Sequence, residues 1–136
     1  MKTIEDIEKI TNWYGQKYKS ATADQLMDMK SKLVTLLCKF SDEVAESKKD
    51  SLITTVYRKY EHHKLKSQLI DEGFTVALAE SKSIEGAKNL MEEEVITERV
   101  SYLHKIKLSQ YNRVVDDITQ RLSFIRDDKN YHKSIS

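Results

Sequence analysis

Residues able to do ionic or ring chemistry crowd into VYRKYEHHKLK, from Val56 to Lys66, where cations, two adjacent histidines and two tyrosines surround one acid, Glu61. A second run, YLHKIKLSQYNR from Tyr102 to Arg113, mixes the same types and contributes Lys105, Lys107 and Arg113. On a helix, Arg58, His62 and Lys66 form an i, i+4, i+8 row with Lys59 at its edge. Two such basic helices side by side would form a groove of positive potential. That groove would bind phosphates without reading sequence and gain affinity where exposed rings stack on unpaired bases. The competing reading is that the tyrosines are core residues and the lysines keep long helices soluble.

Catalysis needs convergent groups, and the local patterns that announce it are missing. The chain has no phosphate-binding glycine loop, no glycine-flanked nucleophilic serine and no histidines separated by three residues. The expectation is therefore a protein that is not an enzyme. His62 and His63 point about 100° apart on a helix and cannot chelate together as an i, i+4 pair would. Folding could bring His104 towards them, but ordinary surface histidine is preferred. Glu92–Glu94 form a carboxylate run, yet helical di-metal sites pair glutamate with Glu-x-x-His, a spacing this chain lacks. No metal or cofactor is expected. Cys38, the single cysteine, sits among Leu36, Leu37 and Phe40 and reads as a small buried thiol, with no intrachain disulfide available to it.

The elements that must carry these residues are helices. In 136 residues there is no proline, glycine occurs three times and a third of the residues are charged, whereas a sheet-rich chain needs frequent turn residues. One domain fits the length. The hydrophobic share of 39% is below the roughly 45 to 50% of globular domains, which suits extended helices completing their core against other copies. Net charge is +1 but segregated: Lys48–Lys66 holds six Lys or Arg against two acids, and Asp71–Glu94 holds seven acids against two lysines. The N-terminus lacks the apolar core of a signal peptide, and no run approaches the roughly 20 apolar residues of a membrane span. A soluble, cytoplasmic protein without membrane contact is expected.

Element boundaries follow from capping and periodicity. Residues 1–20 read as a docking helix capped by Thr3, with Ile4, Ile7, Ile10 and Tyr14 on one face, anchored by Trp13, Tyr14 and Tyr18 and weakened near Gly15. Residues 21–72 form a helical arm opened by a Thr22/Gln25 capping box, with Leu26, Met29, Leu33, Leu36 or Leu37, Phe40 and Val44 in an apolar stripe. The polar stretch 46–51 either bends this arm or is the exposed part of one long helix. The apolar positions resume at Leu52, Ile53, Val56, Tyr57 and Tyr60, and Gly73 supplies the stop. Residues 73–82 read as a connector with a helical turn, residues 83–128 as a long helix capped by Ser83, and 129–136 as a frayed tail. Tyr111, Val115, Ile118, Leu122 and Ile125 step by four and three, a heptad-like seam open to packing within a bundle or between subunits.

The whole order resembles a group of small helical phage proteins, the UvsY family of T4-type recombination mediators. The likeness is carried by the short first helix, the leucine-rich helix, a basic helix ending at IDEG, an acidic connector and a final helix containing YNRVVDDITQRLSFIRDD. In that family a basic pair of the form Lys-x-Arg precedes a glycine-containing break, and Lys64 and Lys66 before Gly73 are the corresponding residues. The resemblance implies a homo-oligomer that binds single-stranded DNA and helps load a recombinase in place of a single-strand-binding protein. It also implies that subunits join through C-terminal segments, here Val115, Ile118, Leu122 and Ile125. The expectation is thus an all-α, elongated antiparallel helical hairpin or bundle completed by oligomerisation, binding single-stranded DNA through Arg58, Lys59, Lys64, Lys66, Lys105, Lys107 and Arg113. The alternative is a structural or regulatory helical protein that binds another protein and not DNA, for example a phage inhibitor or adaptor.

Overall fold

The computed structural model describes residues 2–135, with side chains as far as residue 129. It contains four helices, α1 (Lys2–Lys17), α2 (Ala23–Asp71), α3 (Val76–Gly86) and α4 (Lys88–Ile135), and no strand among the described residues. None of these helices is long and apolar enough to cross a membrane. The capping signals explain several of the boundaries. The Gln25 backbone N–H donates to Thr22 Oγ1 and the Thr22 N–H donates to Gln25 Oε1, the reciprocal box that starts α2. At the other end of α2, Gly73 N–H donates to the Ile70 carbonyl and Phe74 N–H to that of Leu69, with Gly73 at φ +97°. These are the two bonds of a Schellman stop, which needs a residue free to adopt left-handed φ.

The helices pack into two compact units. Unit 1 takes Met1–Glu43 with Lys105–Ser136, and its interior is apolar. Ile7, Leu26, Leu33, Phe40 and Ile118 are fully buried, and Tyr14, Leu37 and Tyr111 nearly so. Each such side chain contributes about 1.5–3 kcal/mol by leaving water. Phe40 and Tyr111 meet edge to face with ring centroids 5.8 Å apart. Both buried tyrosines place their hydroxyls on carboxylates: Tyr14 donates to Asp117 Oδ2 at 2.9 Å and Tyr111 to Glu8 Oε1 at 3.1 Å. Burial first, and then the adjacent carboxylate, pushes each of these phenols up to about 12.

Unit 2, Val44–His104, is built on the opposite plan. Its buried residues are small, namely Ser51, Ala79, Ser83 and Ala87, and Leu65, Leu69, Phe74 and Leu90 are only half-buried. Between α2 and α4 runs a polar seam. Ser47 Oγ lies 2.9 Å from His104 Nδ1, and Arg58 pairs with Glu94, so residues later in α2 meet residues earlier in α4. Meanwhile Leu52, Ile53, Val56, Tyr57 and Tyr60 of α2, and Val95, Ile96, Tyr102 and Leu103 of α4, are exposed.

Several expectations change. The stretch 46–51, open in the sequence between a bend and one long helix, lies within the continuous α2. The connector 73–82 is largely helix, with Thr75 as N-cap of α3 accepting from Leu78 N–H. Ser83 is buried inside α3, donating to the Glu80 carbonyl, and α4 starts five residues later. Thr3 is inside α1, where its hydroxyl donates to Glu43 instead of capping, and α1 runs through Gly15 to Lys17. Cys38 is exposed, because Leu37 and Phe40 take the inward positions on either side of it. The helical backbone continues past residue 129 to Ile135, where a frayed tail was expected; the tail's side chains from residue 130 lie outside those described.

Candidate nucleic-acid interface

The basic row of α2 turns inward. Arg58 donates through Nε to Glu94 Oε2, with its Nη2 3.4 Å from Oε1, and the two side chains are 22% and 16% exposed. Lys66 Nζ is 2.7 Å from Glu80 Oε2, and His62 Nε2 is 3.1 Å from Glu80 Oε1. Glu80 sits on α3, so a single carboxylate ties that helix to two successive turns of α2. The hydrogen bond from Arg58 holds the Glu94 carboxyl below its usual range, and the one from Lys66 does the same for Glu80. The Arg58 guanidinium is in turn held more firmly charged, first by its hydrogen bond to Glu94. These cations have spent their charge within the chain. They offer a phosphate less than their sequence positions promise.

The remaining cations of this segment face outward. Lys59 and Lys64 are exposed and in no salt bridge among the described residues, but they sit on opposite flanks of α2: Lys59 is near enough to Glu94 to add to the lowering of its carboxyl, and Lys64 lines a shallow pocket with Glu61, Gly86 and Leu90. At 100° per residue, Lys48, Lys49, Tyr57, Lys59, Tyr60 and Lys64 fall within about half the helix circumference, together with Leu52, Ile53, Val56 and His63. Asp50 and Glu61, the acids between Lys48 and Lys66, fall outside that arc. Tyr57 is 52% exposed and Tyr60 60%, so both rings can meet a ligand. The result is an exposed face on which cations alternate with rings, with Asp50 at its edge and Glu46 and Asp71 on the same side of α2 just beyond its two ends. Lys48 and Lys49 were absent from the expected site, since the sequence leaves the polar stretch around them open between a bend and one long helix. Once α2 is continuous, the helical period places them in line.

The second basic cluster belongs to unit 1. Lys105 and Arg113 are exposed and line one shallow pocket with Leu108, Ser109, Asn112 and Asp116. Lys107 is half-buried, its Nζ 3.7 Å from Glu8 Oε1, the carboxylate that also accepts from Tyr111. Of the seven residues expected to contact a polyanion, Lys59, Lys64, Lys105 and Arg113 are therefore open, while Arg58, Lys66 and Lys107 have carboxylate partners.

The expected subunit seam is largely occupied by its own chain. Ile118 is fully buried in unit 1 and has no surface left for a second copy, and Val115, Leu122 and Ile125 are half-buried. Leu122 and Ile125 line an apolar groove with Ala23 and Met27 of α2. Within the unit the heptad-like spacing buries Ile118 and leaves Val115, Leu122 and Ile125 partly accessible. Comparison with protein-family models, with curated proteins and with solved structures gives no match.

Proposed function

We propose that this chain is a non-enzymatic, single-stranded-DNA-binding protein that acts as a homo-oligomer, its helices arranged as an antiparallel hairpin completed by other copies. Its role is that of a recombination mediator, which the sequence's likeness to the UvsY family implies, with a recombinase or a single-strand-binding protein as the further partner. The observation that carries the binding reading is the exposed outer face of α2 from Lys48 to Lys64, where Lys49 and Lys64 accompany the exposed rings of Tyr57 and Tyr60 and Lys59 lies at the margin. Ammonium groups on such a face release counterions from a phosphate backbone, and rings beside them stack on bases that duplex DNA keeps covered. Lys105 and Arg113 extend the set of available cations. Arg58 and Lys66 act instead as the charges that hold α4 and α3 to α2.

Fluorescence-anisotropy titrations with single-stranded and duplex DNA at several salt concentrations test this reading. Tighter binding to the single strand, weakening steadily with salt, is expected. Equal affinity for both, or none for either, overturns it.

A second reading has its own observation. Leu52, Ile53 and Val56 lie on the same outer face, 58%, 55% and 67% exposed, and aliphatic side chains contribute little to base stacking. They suit the face of a protein helix, as in a structural or regulatory adaptor. That reading requires a stoichiometric protein complex and no salt-dependent DNA binding.

A further inference from the structure

The outer face of α4 in unit 2 carries an apolar strip among Lys88, Glu92 and Arg99 and faces none of the unit's other helices. Val95 and Ile96 are 64% and 63% exposed, and Leu103 continues the stripe two turns on. Such a face marks an interaction site, since isolated surface residues do not line up in register along a helix. The charges beside it say what covers it. Glu92 and Arg99 lie seven residues apart on the same face, both exposed and in no salt bridge among the described residues, with Val95 and Ile96 between them. They are equidistant from the point midway between residues 95 and 96.

We propose that this face is a two-fold interface with a second copy of the chain, α4 against α4 in antiparallel orientation, centred between Val95 and Ile96. In that arrangement Val95 meets the second copy's Ile96, and Glu92 meets its Arg99, twice by symmetry. The aliphatic stem of Lys88 lies over the second copy's Leu103. Parallel pairing would instead set Glu92 against Glu92 and Arg99 against Arg99, which like-charge repulsion opposes. Glu92 and Arg99, balanced about Val95 and Ile96, make the surface self-complementary at that pair, as a two-fold interface requires and an unrelated partner helix does not, while the second base, Lys88, falls opposite Leu103. The inference rests on the reading above that copies associate, and adds the surface through which they do so. It does not involve the outer face of α2, which stays open to DNA.

Sedimentation velocity in the absence of DNA tests it, with circular dichroism to confirm intact helices. The wild-type chain should associate reversibly. Glu92→Arg or Arg99→Glu alone should raise the dissociation constant about tenfold, since two attractive contacts become repulsive, and the combined E92R/R99E chain should recover it. Ile96→Asp should abolish association while leaving the salt-dependent DNA affinity of each chain in place. A monomeric wild type overturns the proposal. So does undiminished association of Ile96→Asp, which would leave oligomerisation standing but at another surface, and so does failure of the double reversal to restore what each single reversal removes.

Discussion

Replacing Lys59 and Lys64 together by alanine removes two exposed ammonium groups that are in no salt bridge among the described residues. For single strands, log K falls against log salt with a slope of about −0.7 per neutralised phosphate, so two contacts account for about 1.4 of the slope. Extrapolated from 1 M, where that term vanishes, the same contacts are worth about 25-fold in affinity at about 0.1 M salt. The double variant should lose both, measured by anisotropy at four or more salt concentrations. Lys66→Ala removes the same kind of charge two residues beyond Lys64, but its Nζ already sits 2.7 Å from Glu80. Its slope should match the wild type, and its cost should appear as looser attachment of α3. Tyr60→Ala should weaken binding by about 1–3 kcal/mol with no change of slope, because stacking releases no counterions. If Lys66→Ala flattens the salt dependence as much as the double variant, the division into spent and available cations is wrong.

Leu33, fully buried in unit 1, should cost about 2–5 kcal/mol when cut to alanine, read from denaturant midpoints at constant slope. Tyr14 and Tyr111 ionise near pH 12, above the free phenol near 10, so their contribution is complete below pH 10 and is lost as pH rises towards 12. The free energy of unfolding should fall across that window by about 1.4 kcal/mol per pH unit per phenol, and Tyr14→Phe should remove its share of the decline. Glu80 and Glu94 have lowered carboxyl values, so the stability they confer is present above the ordinary carboxylate range near pH 4.3 and disappears as pH falls through their folded values. Thermal unfolding followed by circular dichroism should therefore show acid destabilisation that Glu94→Gln removes in part, and an unchanged acid profile in that variant would contradict the assigned role of the pair.

The sequence made the helices of unit 1 legible because there the apolar stripe and the packed face coincide. Leu26, Leu33, Leu37 and Phe40 recur with the helical period and are the residues buried. Thr22, Gln25 and Gly73 declared their roles because local hydrogen bonding and φ decide them. In unit 2 the same periodicity correctly grouped Arg58 with His62 and Lys66, and Val56 with Tyr60. It could not say which group faces a neighbour, since that depends on what Glu80 and Glu94 present from elements 14 to 36 residues away. Hydrophobic periodicity assumes that the apolar side packs, and here the polar side does. Cys38 failed for a simpler reason: neighbours in sequence on a helix point in different directions, and apolar company along the chain is not apolar company in space.

A helix pair joined by hydroxyls, an imidazole and one guanidinium clamp is a keyed joint. Ridges of leucine tolerate sliding by a turn, since one aliphatic group replaces another at modest loss. Sliding α4 by one turn in either direction would pull Glu94 from Arg58 and His104 from Ser47 together, stranding a charge whose desolvation nothing then offsets. Alignment along this joint is consequently dictated by chemistry at two points instead of by grease along its length.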